Sequence, residues 1–320
     1  MLKDTSQQPL IPGIVGPTAV GKTTIAVRIA QMQGWEIVSA DSRQIYRELD
    51  IGTAKPTSEE RSRAPHHLID VIEPWEVYSC GRYRTEAAIA IEDVLSRGKV
   101  PVVVGGSGLY LRALERGLFE GPERDESLRA ELERFAESEG REALHGRLER
   151  VDPVSAKRIH PRDTERVIRA IEVFEITGKS ISELQRTAAT PCRFRLRLVG
   201  LRRPREILYR MINERFEKMV TGGLLEELTR LMEKGFSETW PSFRTVGYRE
   251  MFRYLRGELE YSPAKEKAKT QTRRFAKRQM TWLNKASVAA WLDVPADQDV
   301  DRTSQRVLRV LEGEGGSNTT

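Results

Sequence analysis

The residues best suited to chemistry form a glycine-rich segment near the start of the chain: Gly16, Pro17, Thr18, Ala19, Val20, Gly21, Lys22 and Thr23. Their order fits GxxxxGK[ST], the pattern of a phosphate-binding loop. In such a loop the backbone N–H groups point at a phosphate, the lysine adds positive charge, and the last hydroxyl binds Mg²⁺. The segment therefore predicts a diphosphate site with Thr23 as a magnesium ligand, but it does not define the reaction.

A second candidate is Asp41, which follows the apolar run Glu36 to Ala40. A carboxylate at a strand end close to a phosphate loop can organise a metal ion or accept a proton. Asp41 and Ser42 are also good helix N-cap residues, so capping of the next helix is an equal alternative. A motor ATPase usually has a further acidic strand end that meets its Mg²⁺, whereas the run Val100 to Val104 ends in glycines. This weakens an ATPase interpretation.

Alternating strand and helix patterns surround these residues. Apolar runs predict strands at Leu10–Val15, Glu36–Ala40 and Val100–Val104, and helical spacing predicts helices at Thr23–Met32 and Arg82–Leu95. Such alternation is typical of a mostly parallel sheet that binds its ligands at the carboxyl ends of the strands. We therefore expect the phosphate loop, Asp41 and the glycines after residue 104 to share one rim.

The remaining chain completes an α/β fold: a P-loop NTPase-like parallel sheet core flanked by helices, with a helical insertion domain. The core comprises residues 1–120 and 191–312, and the charge-rich segment 121–190 is the helical insertion. Within the second part of the core, the patterns predict a strand at Phe194–Leu201, helices within 207–231 and 264–282, and an edge strand at Val288–Leu292. Residues 313–320 are expected to be a disordered tail.

Composition limits the setting of the protein. The 320 residues carry a formal charge of +6, which is compatible with a nucleic-acid partner but does not require one. The two cysteines are far apart and have no metal-site spacing, so neither a disulfide nor zinc is expected. No apolar run approaches the roughly 18 residues of a membrane span, and the N-terminus is polar. We expect a cytoplasmic protein with no membrane partner.

Eight segments together resemble those of a known family. They occur in the family's order and cover nearly the whole chain: GPTAVGKT from residue 16, SADSRQIY from 39, DIGTAKP from 50, HHLID from 66, GGSGLY from 105, RVIRAIEV from 166, VGYRE from 246 and TRRFAKRQMTW from 272. By these motifs the sequence resembles the bacterial tRNA dimethylallyltransferases of the tRNA isopentenyltransferase family.

The resemblance implies transfer of a dimethylallyl group from dimethylallyl diphosphate to N6 of the adenosine at position 37, just 3′ of the anticodon. The acceptors would be tRNAs that read codons beginning with U, Mg²⁺ would be the cofactor, and pyrophosphate would leave. Asp41 matches the family's candidate base, Thr23 its magnesium ligand, and Arg215 an arginine near the donor. An adenine stacked in an anticodon loop must be turned out of its stack to react. We expect a monomer.

The family's tRNA contacts map onto several segments of this chain, including the insertion, which is expected to contact the anticodon stem-loop. Ser107 stands where threonine is common, and Glu165 where glutamine is frequent. The matching positions are Asp41, Ser42, Arg43, Gln44, Ser107, Arg129, Glu165, Arg166, Val167, Ile168, Arg169, Thr239, Trp240, Pro241, Ser242, Phe243, Arg244, Thr272, Arg273, Arg274, Phe275, Ala276, Lys277, Arg278 and Gln279.

Other functions remain open at this point. A related adenylate isopentenyltransferase would modify a free nucleotide, although the insertion and the basic segment 272–279 favour a large RNA. An ATP-dependent small-molecule kinase would use the same phosphate loop for phosphoryl transfer. An RNA-binding protein would use its nucleotide site only for regulation. The basic segment is equally compatible with a solvated helix face.

Overall fold

The computed structural model describes residues 8–117, 121–187, 193–297 and 299–313. The chain divides into two compact units: residues 1–115 with 193–320, and residues 116–192. The insertion expected at 121–190 falls within the second unit. Residues 314–320 of the expected tail lie outside the described residues, while Gly313 ends the last helix.

The first unit contains a six-stranded parallel sheet, as the alternating pattern predicts. Its spatial order is β3-β2-β4-β1-β5-β6, so the predicted last strand does lie at an edge. The two-residue β3 escaped prediction because so short a strand has no periodicity. The strands are β1 (Leu10–Val15), β2 (Glu36–Ala40), β3 (His66–His67), β4 (Pro101–Gly105), β5 (Arg195–Arg202) and β6 (Val288–Asp293).

Three neighbouring strands end at the same level. Gly105 of β4 is paired with Val15 of β1 on one side and with Ala40 of β2 on the other. A Cβ atom on Gly105 would lie 2.1 Å from the carbonyl oxygen of Ala40, so only glycine allows this close approach. The phosphate loop, Asp41 and the loop after Gly105 therefore leave the sheet side by side, which confirms the predicted rim.

Helices cover both faces of the sheet, as a parallel sheet requires. One apolar cluster joins the sheet to α1 and α14, and another joins its opposite face to α3 and α4. A third cluster holds α10 to α13 together. The helices of this unit are α1 (Lys22–Gln33), α2 (Ser58–Arg63), α3 (Cys80–Ser96), α4 (Gly108–Arg116), α10 (Arg205–Thr221), α11 (Leu224–Glu233), α12 (Tyr248–Leu255), α13 (Tyr261–Leu283) and α14 (Val300–Glu312).

In the described part of the second unit, all regular secondary structure is helical. Its core consists largely of leucine, isoleucine and valine side chains. At its centre the fully buried Glu172 accepts hydrogen bonds from Arg169 and from the backbone of Asp125. The helices are α5 (Glu126–Ser138), α6 (Arg141–Val151), α7 (Pro153–Ala156), α8 (Thr164–Thr177) and α9 (Ile181–Thr187). In neither unit does a described helix combine the length and apolar character needed to cross a membrane.

Candidate active site

The phosphate loop has the backbone conformation that its glycines predict. Gly16 packs so closely that a Cβ atom would lie 2.6 Å from the carbonyl oxygen of Leu201. Ala19 and Gly21 have positive φ angles of 65° and 103°, which turn the backbone into the start of α1 at Lys22. The loop thus ends at a helix N-terminus, where backbone N–H groups and the helix dipole favour an anion.

Two cations and one carboxylate set the electrostatics of this loop. Lys22 donates to the carbonyl oxygen of Pro17 over 2.7 Å, and burial lowers its pKa to about 8 although Asp41 opposes the shift. Arg215 of α10 donates to the Thr18 hydroxyl over 2.5 Å, and burial lowers its pKa as well. A bound polyanion would stabilise both cations, so the site is suited to a diphosphate.

Asp41 does not cap a helix. Its Oδ1 accepts the backbone N–H of Arg43 over 2.8 Å, which forms a local turn. The next helix, α2, begins only at Ser58 and is capped by Thr57. The capping interpretation of Asp41 is therefore wrong, and its carboxylate lies instead among the residues that line the phosphate loop's cavity.

Ser107 and Gln279, both expected to contact tRNA, make hydrogen bonds inside the protein. The Ser107 hydroxyl accepts the backbone N–H of Ser42 over 3.0 Å. Gln279 is buried in α13; its Oε1 accepts the Thr18 N–H over 2.8 Å and its Nε2 donates to the Gly106 carbonyl over 3.2 Å. These two side chains therefore connect the three loops of the rim.

Two cavities adjoin this rim. The first has a volume of about 410 Å³ and is lined by the phosphate loop, residues 53–56 and His66. The second has a volume of about 200 Å³ and is lined by residues from α10, α13 and the segments around Arg43 and Arg244. Four residues line both cavities: Thr18, Asp41, Thr53 and Arg215. The two predicted catalytic residues of this set, Asp41 and Arg215, thus lie where the cavities meet.

The basic segment of α13 divides between the second cavity, solvent and the protein interior. Thr272, Phe275 and Arg278 line the second cavity, while Arg274 and Lys277 are exposed. Arg273 instead donates to Asn213 Oδ1 over 2.7 Å and to the Thr270 hydroxyl over 2.8 Å. Ala276 is buried. The helix therefore presents cations to solvent next to a cavity, rather than a uniform basic face.

The segment 239–244 contains a short 3-10 helix, Pro241–Arg244. Arg244 is exposed and lines the second cavity, whereas Ser242 and Phe243 are buried. The Trp240 ring meets the exposed Trp75 ring with a centroid distance of 5.3 Å. We correct the expected RNA contacts only for the buried side chains of Ser242, Phe243 and Ala276, which offer no surface to RNA.

The positions expected to contact tRNA in the second unit lie on α5 and α8. Arg129 is 6% exposed and its guanidinium faces Glu172 at 3.3 Å. Val167 and Ile168 pack in the apolar core of this unit, so the expectation of RNA contacts by these two side chains is corrected too. Glu165 and Arg166 are exposed at the start of α8, and Arg169 is half-exposed. Of the expected tRNA-contacting side chains in this unit, these three are accessible to RNA.

Lys55 is a site residue that received no role from the sequence. It lines the first cavity, yet its side chain is 2% exposed and its Nζ contacts Asp50 at 2.6 Å and Asp70 at 2.5 Å. Both Lys55 and Asp70 belong to segments that carry the family resemblance, DIGTAKP and HHLID. Their contact with each other could not be predicted, because it joins residues 15 positions apart and follows no local pattern.

Comparison with known proteins gives one consistent relationship. The sequence matches the model of the IPP transferase family over residues 44–286 and that of the isopentenyl transferase family over residues 10–69. It is 45% identical to the tRNA dimethylallyltransferase of Pelotomaculum thermopropionicum over 314 residues, which cover 98% of this chain and 99% of that protein.

Solved structures agree with this relationship. The full-length tRNA isopentenylpyrophosphate transferase from Bacillus halodurans is 38% identical, with a TM-score of 0.69 over 96% of this chain and 98% of its own. A eukaryotic dimethylallyltransferase, whose structures capture it acting on tRNA, is 29% identical, with a TM-score of 0.77 over 94% of this chain and 78% of its own. The phosphate loop, the rim and the sequence as a whole lead to one assignment: this chain belongs to the IPP transferase family.

Proposed function

We propose that this protein transfers a dimethylallyl group from dimethylallyl diphosphate to N6 of adenosine 37 in tRNAs that read codons beginning with U. The observation that carries the proposal is the junction of two cavities at Asp41, Thr53 and Arg215. A phosphate loop lines one cavity, and cationic side chains of α13 and the 239–244 segment line the other. Such an arrangement suits two substrates that react where the cavities meet.

The donor diphosphate would bind in the first cavity. Backbone N–H groups at the end of the phosphate loop, with Lys22 and Arg215, would stabilise the negative charge that grows as pyrophosphate leaves. In the transfer, the bond between the allylic carbon and the diphosphate oxygen breaks, and a bond from that carbon to N6 forms. The N6 proton passes to the Asp41 carboxylate, which lies on the edge of both cavities.

The residues of the first cavity fit Mg²⁺, which prefers oxygen ligands and usually keeps substrate phosphates among them. Thr23 provides a hydroxyl and Asp41 a carboxylate to this cavity. Within the described ranges no group of three or more His, Cys, Asp or Glu side chains could hold a metal ion by itself. A site built on Thr23 and the donor is consistent with that. When bound, Mg²⁺ would neutralise part of the diphosphate charge.

The acceptor adenine would enter the second cavity after it leaves the anticodon-loop stack. Phe275 offers an aromatic ring to a base, and the neighbouring cations Arg244 and Arg278 suit phosphates. We also propose that the helical unit contacts the anticodon stem-loop, for which exposed Arg166 is available. One copy of the chain supplies every residue of both cavities, so we propose a monomer. The cytoplasm is the setting that a tRNA substrate implies.

A transfer assay tests this function. The protein is incubated with Mg²⁺, radiolabelled dimethylallyl diphosphate and either unmodified tRNA or AMP, without ATP. We expect label in tRNA only, and nuclease digestion should recover it on adenosine 37. Label in AMP alone would instead support the adenylate isopentenyltransferase. If no transfer occurred without ATP, the prenyl transferase function would be excluded and a kinase favoured.

A further inference from the structure

The segment 50–55, here called the wall, contributes residues 52–55 to the lining of the two cavities. Thr53, Ala54 and Lys55 line the first cavity, whereas Gly52 and Thr53 line the second. Thr53 is therefore the one residue of this segment that faces both. A small displacement here would change both cavities and the opening where they meet.

A buried carboxylate on a distant helix holds one end of this wall. Glu227 of α11 is 3% exposed and accepts three consecutive backbone N–H groups, from Asp50 at 3.0 Å, Ile51 at 2.9 Å and Gly52 at 3.4 Å. Hydrogen bonds from N–H groups to a carboxylate are stronger than those to neutral acceptors. Glu227 thereby fixes the backbone of the segment without lining either cavity.

A buried tyrosine completes this attachment. The Tyr248 hydroxyl donates to Glu227 Oε1 over 2.5 Å and accepts the Gly52 N–H over 3.1 Å. A Cβ atom on Gly52 would lie 2.4 Å from the Tyr248 ring, so the backbone rests directly on that ring. Glu227 and Tyr248 therefore hold the wall both by hydrogen bonds and by packing.

The other end of the wall needs support because its backbone is strained. Ala54 has a φ angle of 50°, in the left-handed region that costs a residue with a side chain about 1 kcal/mol. Gln44 donates to the Ala54 carbonyl over 2.9 Å, and the Thr53 hydroxyl donates to the Leu49 carbonyl over 2.5 Å. If the contacts at residues 50–52 were lost, only the contacts of Thr53 and Ala54 described here would maintain the backbone conformation of the wall.

We propose that Glu227 and Tyr248 are positioning residues for the transfer reaction: they hold segment 50–55 so that Thr53 shapes the opening through which the allylic carbon meets the adenine amine. This inference rests on the proposed function. Reacting atoms must approach closely and in line, and a displacement of about 1 Å can cost on the order of 100-fold in rate. The effect should therefore fall on turnover rather than on tRNA binding.

The test compares two variants with two matched controls. Tyr248→Phe removes one hydroxyl, and Glu227→Gln weakens acceptance of the three N–H groups. Tyr83→Phe is the first control, because Tyr83 is also fully buried and its hydroxyl has no hydrogen-bond partner in the described structure. Asp152→Asn is the second, because buried Asp152 accepts backbone N–H groups from Ser155 and Ser182 in the helical unit, outside both cavities.

We expect Tyr248→Phe and Glu227→Gln to lower kcat roughly 10- to 100-fold, to raise the KM for dimethylallyl diphosphate, and to leave the tRNA Kd within about twofold. Amide hydrogen exchange at residues 50–52 should accelerate in both. Asp152→Asn should lower the thermal midpoint with kcat unchanged, which separates positioning from general stability. Tyr83→Phe should match the wild type.

Two results would overturn the inference. One is faster exchange at residues 50–52 in the variants with unchanged kcat and KM. Glu227 and Tyr248 would then hold the wall in the wild type, but its position would not affect the reaction. The other is an equal loss of kcat in Asp152→Asn, because the effect would then be one of stability alone. An inactive wild-type protein would instead refute the proposed function, and this inference with it.

Discussion

The two cavities differ in how the chain builds them. The first is lined mainly by strand ends and the segments that follow them, such as the phosphate loop after β1 and Asp41 after β2, with four further residues from α10. The second takes most of its lining from α10, from Arg244 and the two residues after it, and from α13, which are separated by tens of residues. The core of the anion site is thus local in sequence, although Arg215 reaches it from α10. The surface proposed for the base exists only after the helices have packed.

The largest effect should come from the carboxylate common to both cavities. Asp41→Asn keeps an oxygen for the Arg43 N–H but cannot accept the proton from N6. We expect kcat to fall about 1000-fold, within the range for loss of a general base. Pre-steady-state measurement of product formation at saturating tRNA and donor gives this number directly.

Its control is a tRNA binding titration with the same variant. An unchanged Kd, with the loss confined to kcat, would agree with a junction residue that acts on the reaction. A weakened Kd with normal turnover would make Asp41 a part of the second cavity only.

The next effect should be confined to the first cavity. In the proposed function protonated Lys22 binds the diphosphate, and burial lowers its pKa to about 8 in the free protein. A bound anion raises that pKa, so the affinity for dimethylallyl diphosphate should decrease as the pH rises above 8, by up to tenfold per pH unit. Calorimetric titration with dimethylallyl diphosphate between pH 7 and pH 9.5 measures this affinity.

Substitution of Lys22 makes this prediction specific. Lys22→Met should weaken donor binding at pH 7 by about 100-fold while the pH dependence disappears, since the titrating group is gone. A pH dependence that persisted in Lys22→Met would assign it to another group. A comparable loss of tRNA binding in Lys22→Met would contradict the assignment of the donor and the tRNA to separate cavities.

A smaller effect should come from the solvent-exposed cations of α13. Lys277→Ala removes an exposed charge, so tRNA binding should weaken several-fold and the slope of log Kd against log salt should drop by about one. Arg302→Ala, an exposed cation on α14, is the control and should leave the slope unchanged. A salt-independent loss in Lys277→Ala would exclude a phosphate contact.

The smallest effect concerns the Ser107 hydroxyl. Ser107→Ala leaves the Ser42 N–H without its acceptor beside Asp41, at a cost of about 1 kcal/mol, or roughly fivefold in kcat/KM. Ser107→Thr retains the hydroxyl and should stay near wild type. If both variants were equally impaired, the size of the residue and not its hydrogen bond would matter.

Particular residues illustrate what the sequence could predict. The sheet, the rim and the roles available to Lys22 and Thr23 follow from local patterns, because strand, loop and helix are contiguous there. The internal hydrogen bonds of Gln279 and Glu227 could not be predicted, because their partners Thr18 and Asp50 are 261 and 177 residues away. Val167 and Ile168 were assigned to RNA by resemblance, whereas burial decides that their side chains pack in a core.

The central claim is that donor and acceptor occupy separate cavities at the same time. An unreactive thio analogue of dimethylallyl diphosphate and a fluorescent anticodon stem-loop test it in one equilibrium titration at fixed salt. We predict a complex of one protein, one analogue and one RNA, with RNA affinity unchanged or increased at saturating analogue. Displacement of the stem-loop by the analogue would contradict the claim, because both substrates would then compete for one cavity.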